Sequence, residues 1–265
     1  MKLAVIFHGL SSGLNDKKEE VLCIRSIDSI KNSLVDRDVD YFFHTWGSRN
    51  DNLVQQLRPK SWIIEDPIET RYQGSKVHST ISRFTSLQKS LSIFNDYRSR
   101  HGVNYHGALI VRFDLLVYGK IVPEVIRDDT IALPFWGNYR ASHSEYLDYY
   151  LIIGKNHFEK FDNIVLFVND YIDKNYNNSS SLPFSNHIII RKLIETFGGS
   201  VEFSGREYKD FCLDKHFKGF SNKKGEVRLF LSKQFFLYIL SLLRLEYPFK
   251  RIYGKLLEYA NFNRF

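Results

Sequence analysis

The sequence predicts an α/β protein, an open and mostly parallel sheet flanked by helices, and three observations lead there. Short apolar runs such as LAVIF at 3–7 and ALIV at 108–111 read as strands buried on both faces. Between such runs lie stretches with apolar residues three and four apart, the alternation of strand and helix that builds a parallel sheet. Polar residues gather just after several runs, where open α/β sheets bind ligands.

The elements follow in order. The strand at 3–7 runs into His8-Gly9-Leu10-Ser11-Ser12-Gly13, a turn-forming loop, and then into a predicted helix at 17–34 carrying Val21, Leu22, Ile24, Ile27, Ile30 and Leu34. A second strand at 39–43 ends in His44-Thr45-Trp46-Gly47, and a third at 61–64 ends in Glu65-Asp66-Pro67. A long helix is predicted at 79–98, where Ile81, Phe84, Leu87, Leu91 and Phe94 share a face. The strand at 109–111 follows, then shorter ones at 130–134 and 148–153, and a helix at 155–168. Residues 170–181, rich in Asn and Ser, read as an exposed loop. A helix at 185–197 is closed by Gly198-Gly199.

With 265 residues, 43% of them hydrophobic and 25% charged, the chain can bury a full core, which excludes wholesale disorder. Cys23 and Cys212 stand far apart, so neither a disulfide framework nor a zinc site is expected. The first apolar run is too short for a signal peptide, which points to a cytoplasmic chain. The net charge of +7 is placed unevenly: the last 60 residues hold 13 Lys and Arg against 6 Asp and Glu, and the rest is balanced.

The strand at 108–111 continues into Arg112-Phe113-Asp114. Charges at the end of a core strand must pair, reach solvent at a cleft, or hold a ligand. Two residues apart on a strand, Arg112 and Asp114 share a face, so mutual pairing is one open reading. The dinucleotide fingerprint, the phosphate loop ending in Gly-Lys-Ser/Thr and the His-Glu-x-x-His zinc helix are all missing. Dehydrogenases and kinases of those classes recede, and simple hydrolases are set aside as well.

The order of segments is more informative: the opening strand and loop, DVDYFFHTWGS at 38–48, STISRFTSLQKSLSIFNDY at 79–97, GALIVRFDLLV at 107–117, DYYLIIGKNHFEKF at 148–161 and SNHIIIRKLIETFGGSVEF at 185–203. Over roughly residues 1–205 it resembles small glycosyltransferases of the nucleotide-diphospho-sugar transferase type, the GT-A fold, found in bacterial polysaccharide clusters and large DNA viruses. The resemblance implies a nucleotide-sugar half at 1–122, an acceptor half at 123–205 and a basic helical segment at 206–265.

It also implies an activity: transfer of a hexose or pentose from a nucleoside-diphosphate sugar, preferably a UDP-sugar, to a hydroxyl of a growing glycan or lipid-linked saccharide. In that family an Asp-x-Asp often holds Mn²⁺ or Mg²⁺ on the diphosphate. Here Arg112 replaces the first acid, so either Asp114 holds a divalent cation alone or Arg112 meets the diphosphate directly. Donor contacts are expected from His8, Gly9, Ser11, His44, Thr45, Trp46, Arg71, Arg83, Arg112 and Asp114. Asp148 is the first choice for a general base, with Glu145, His187 and His143 as alternatives, and Asp114 joins Asp148 and His187 as a catalytic candidate.

The basic segment holds an apolar run at 235–243 between Lys233 and Arg244, too short to span a bilayer. It either closes the core as a helix with a basic outer face or lies peripherally on an anionic membrane. The rival to an enzyme is a non-catalytic protein binding a membrane surface or nucleic acid through this segment, although no nucleic-acid-binding motif is present.

Overall fold

The structure, a computed structural model, describes residues 1–14, 20–47, 51–70, 72, 76–135, 146–176, 185–198, 200–206 and 210–213. Along the chain come β1 (Lys2–Leu10), β2 (Ser12–Leu14), β3 (Glu20–Leu22), α1 (Ile24–Ser33), β4 (Asp38–Trp46), α2 (Asp51–Leu57) and β5 (Ser61–Glu65). Next are α3 (Lys76–His101), β6 (Gly107–Arg112), β7 (Leu115–Val117), β8 (Thr130–Phe135) and β9 (Tyr150–Gly154). The chain continues through α4 (Ile164–Tyr176), α5 (Asn186–Phe197), β10 (Ser200–Arg206) and β11 (Phe211–Leu213).

Seven strands form one sheet in the order β10-β8-β9-β6-β1-β4-β5. All pairings are parallel except those of β9, which runs antiparallel to both β6 and β8. The expected open, mostly parallel sheet is therefore present, and strands from both expected halves belong to it.

Period-two alternation divides the core. Ala4 and Ile6 of β1, Phe42 of β4 and Ala108 and Ile110 of β6 face α3, where they meet Phe84, Leu91 and Phe94. Leu3, Val5, Phe7, Phe43, Leu109 and Val111 face the other way, toward Ile27 and Ile30 of α1. Burial on both faces is why these strands read as unbroken apolar runs.

Several predicted elements change. The helix expected at 17–34 begins only at Ile24, because Glu20–Leu22 pairs with Ser12–Leu14 and the Cys23 N–H donates to the Ser11 carbonyl at 2.8 Å. The strand expected to stop at Phe7 runs on to Leu10. In place of a helix at 155–168 there is a 3-10 turn at Lys155–His157 and then α4, which covers the start of the predicted loop. Buried Ile164, Val168 and Ile172 at spacings of four carry α4 into the polar stretch. Ser185 caps α5 by accepting from the His187 N–H, and Gly198 closes it at φ 63°. β11, assigned from sequence to the basic tail, pairs with β7 and buries Phe211. No helix among the described residues is long and apolar enough to cross a membrane.

Candidate functional site

The pleat that aims Ile6 and Ile110 at α3 also aims the residues two further on. His8 is in register with His44 of β4 and with Arg112 of β6, so three basic side chains form a row across the strand ends. Facing them, α3 presents Thr80, Arg83, Ser86 and Lys89, polar residues at spacings of three. Each of the four reaches a different polar partner.

The lower part of this stripe makes a closed network. His44 is fully buried, with Nδ1 2.8 Å from Ser86 Oγ and Nε2 2.8 Å from Glu65 Oε1. Lys89 pairs with Glu65 and lies over the Trp46 ring, 5.2 Å from its centroid. Ser86 Oγ accepts from the Gly9 N–H at 2.7 Å, and Gly9 has φ 97°, a backbone shape that favours glycine. Thr45 Oγ1 accepts from the Ser11 N–H at 3.0 Å and donates to Ser11 Oγ at 2.9 Å; the Trp46 indole N–H donates to the Ser82 carbonyl at 3.3 Å.

His44, Thr45, Trp46 and Ser11 hold the strand ends to each other and to α3, and all four are buried. Gly9 serves the same network through its N–H. Ser86, His44 and Glu65 contain the groups of a hydrolytic triad, but a Ser86 with no exposure presents no nucleophile to a substrate. Gly9-Leu10-Ser11-Ser12-Gly13 has the spacing of a nucleophile elbow, yet it leads into a β-hairpin rather than a helix and its Ser11 is spoken for.

The upper part is different. Arg83 reaches Asp148 twice, through an ion pair to Oδ2 and a hydrogen bond to the main-chain carbonyl. Asp148 Oδ1 lies 3.1 Å from His187 Nδ1. Arg112 grips Asp114 with a two-pronged fork, Nε to Oδ1 at 2.7 Å and a terminal nitrogen to Oδ2 at 2.5 Å, and stands over the Tyr149 ring. Side-chain exposure is 16% for Arg83, 19% for Arg112 and 3% for Asp148. Thr80 donates to Asn186 Oδ1 at 2.6 Å, tying the start of α5 to the same stripe.

Charge states follow from burial and neighbours. Burial opposes ionisation of Asp148, but Arg83, then His187 and Arg112, outweigh it and hold the carboxyl well below its usual range. A carboxylate so committed to an arginine is a weak proton acceptor in this arrangement. Burial lowers Arg83 to about 10, still cationic at neutral pH. Burial also opposes the charge on Arg112, but the Asp114 charge prevails and raises it. Burial, with the charges of Arg83 and Arg112, keeps His8 neutral. His8 Nδ1 is buried without a hydrogen-bond partner, and its ring lines a small cavity of about 20 Å³ with Arg83, Asp148 and apolar Leu87, Ile110 and Leu133. That is room for about one water molecule.

The site thus brings together His8, Arg83, Arg112, Asp114, Asp148 and His187 from the expected residues. Arg71, His143 and Glu145 lie outside the described residues. Sequence reasoning missed Ser86 and Tyr149. The spacing of three from Arg83 to Ser86 to Lys89 was a usable signal for the first; for Tyr149 it was only adjacency to Asp148.

No family model matches the chain, and no curated protein does. Solved structures do match. A nucleoside-diphosphate-sugar pyrophosphorylase from Vibrio cholerae is 10% identical, covering 80% of this chain and 94% of that one at a TM-score of 0.43. The galactosyltransferase LgtC, in complex with donor and acceptor sugar analogues, is 13% identical, with 77% and 73% covered at 0.44. A glycosyltransferase involved in glycosylation of the major capsid of PBCV-1 is 7% identical, with 77% and 82% covered at 0.42. At such identities no side chain carries over from them.

Proposed function

We propose that this chain is a glycosyltransferase that moves a sugar from a nucleoside-diphosphate sugar, with UDP the preferred nucleotide, to a hydroxyl of a glycan or lipid-linked saccharide. The observation that carries the reading is the pair of largely buried guanidinium groups formed by Arg112, at the end of β6, and Arg83 of α3, each within reach of the other's charge. Guanidinium groups recognise phosphate oxygens by paired hydrogen bonds, and their strength rises where water is excluded. The fork to Asp114 uses Nε and one terminal nitrogen of Arg112 and leaves the second terminal nitrogen for a ligand oxygen. When an acceptor hydroxyl displaces the nucleoside diphosphate, negative charge grows on the departing oxygen, and fixed cations beside it lower the barrier.

A divalent cation does not fit Asp114 in this arrangement. Both carboxylate oxygens face Arg112, and among the described residues no three His, Cys, Asp or Glu side chains gather to hold a metal ion. The proposal therefore gives the cationic role to Arg112 and Arg83. Contact of the basic 206–265 segment with an anionic membrane would bring the site to a lipid-linked acceptor; its residues from 214 onward lie outside the described ones.

The test is thermal stabilisation by UDP, GDP, dTDP and CMP, each with Mn²⁺ and with EDTA. At a hundredfold its dissociation constant, a ligand of the native state adds about 2.7 kcal/mol, a rise of a few degrees in Tm. A selective response to UDP, equal with Mn²⁺ and with EDTA, is the expected result. No response to any of the four would sink the donor reading, and a response only with Mn²⁺ would return the metal to Asp114.

A further inference from the structure

Among the described residues the large sheet has two edges, and they differ. β10 forms one, with a register shift between Ser204 and Arg206 and Gly205 at φ 65°, the kind of irregularity that bends an edge strand away from further pairing. β5 forms the other and pairs with β4 in unbroken register from Ser61 to Glu65. The Lys60 N–H donates to the Tyr41 carbonyl at 2.8 Å. Because main-chain groups alternate in direction along a strand, those of Ser61 and Ile63 point away from β4. The edge is apolar as well: Trp62 is 43% exposed and Ile63 42%, the one place among the described residues where two adjacent large apolar side chains are both exposed. The Trp62 ring stacks on Phe43, with centroids 6.4 Å apart.

The sequence around β5 is complementary to itself. Set against its own reverse with Ile63 at the centre, Pro59-Lys60-Ser61-Trp62-Ile63-Ile64-Glu65-Asp66-Pro67 places Lys60 opposite Asp66, Trp62 opposite Ile64 and proline opposite proline. Alternation puts Lys60, Trp62, Ile64 and Asp66 on one face, so the row reads charge, apolar, apolar, opposite charge from either end. We propose that β5 pairs antiparallel with β5 of a second copy of this chain, about a two-fold axis beside Ile63, joining two sheets edge to edge. Ile63 then faces its counterpart as a hydrogen-bonded pair, the arrangement its outward N–H and carbonyl require. Trp62 meets Ile64 of the second copy at the closer, non-hydrogen-bonded positions, an aromatic ring against a β-branched side chain. Lys60, whose side chain is 48% exposed and 3.8 Å from Asp40, gains Asp66 of the second copy. Pro59 and Pro67, which have no N–H, end the ladder at the same step on both chains. Pairing along the five residues of β5 buries less than the roughly 1,000 Å² of a stable interface, so the association is reversible and depends on concentration. It does not depend on the transferase reading.

Sedimentation velocity of the full chain over about 1 to about 300 µM, the span in which small interfaces associate, tests this. The mass should rise with concentration from 31.3 kDa toward twice that value. Ile63→Pro removes the outward N–H at the centre of the pairing and leaves the bonds to β4 in place. Asp66→Lys, at an exposed position, sets lysine against Lys60 of the second copy. Each should weaken association by at least ~10-fold, and Lys60→Glu combined with Asp66→Lys, which exchanges the two charges, should restore it to within about threefold of wild type. A chain that stays monomeric over the whole range overturns the proposal. Association that none of these variants changes would place the contact on another face and overturn it equally, as would a charge exchange that recovers nothing over Asp66→Lys alone.

Discussion

Two polar clusters lie along one helix face and obey opposite rules. Around Ser86, the groups of His44, Glu65, Lys89 and Gly9 answer one another, and His44 has no exposure at all. Around Arg83, two largely buried cations meet a buried carboxylate, and His8 keeps a buried ring nitrogen without a partner. A closed network stabilises and specifies; an open one leaves capacity for a ligand. The difference teaches that the presence of histidine, serine and glutamate together says less about chemistry than which of them still has something to bind.

The largest effect expected from breaking this contrast is on stability. His44→Ala strips Ser86 and Glu65 of a buried partner and leaves a cavity, and should cost about 3 kcal/mol. Urea unfolding reads it, and UDP affinity of the folded variant should stay unchanged; a lost affinity would instead place His44 in the ligand site. Arg112→Ala should reverse the pattern, weakening UDP binding by about 2 kcal/mol, roughly 30-fold, with a smaller change in the urea midpoint. Arg112→Lys should recover only part of this, because an ammonium cannot fork. Calorimetric titration of the three proteins decides the point.

Acid separates the clusters further. Folded His8 is held well below its ordinary value of 6.5 by burial and by Arg83 and Arg112, and His44 is lowered mainly by burial. The unfolded chain therefore binds protons as pH falls below about 6.5 while the folded chain does not, so stability should decline in that window. Asp148, whose folded value is depressed, adds its own loss only as pH drops below its ordinary 3.8. Replacing His8 by Leu should flatten the first decline by about 1 kcal/mol in melting experiments between pH 5 and 7; an unaltered slope would assign it to His44. The smallest effect belongs to a pair of the same charges on the surface. Arg191 and Glu195 on α5 meet at 2.7 Å but are 30% and 38% exposed, so Glu195→Ala should change stability by no more than about 0.5 kcal/mol.

Much of the architecture was readable from the chain. Apolar runs of four to six residues, a helix face at 81, 84, 87, 91 and 94, and a Ser185 to Gly198 frame around α5 each carry a local physical signal. The misreadings occurred where that signal was shared. Val21 and Leu22 satisfy helical spacing and strand pairing equally, and the hairpin claimed them because its partner at 12–14 lay within reach. Ile172 was hidden among polar residues whose other helical faces point outward.

Composition and periodicity alone established a single large α/β sheet, the polar residues at its strand ends and a basic excess near the C-terminus. They also brought Arg112 and Asp114 to one face, since alternation along a strand is a local property. Which of those polar residues are closed in and which are left open was settled only by the packing of α3 across the row of His44, His8 and Arg112. Pairings such as Arg83 with Asp148 join residues 65 apart in sequence. No local propensity encodes such a contact; it exists because the sheet register and the helix stripe set both side chains against the same small, water-poor space.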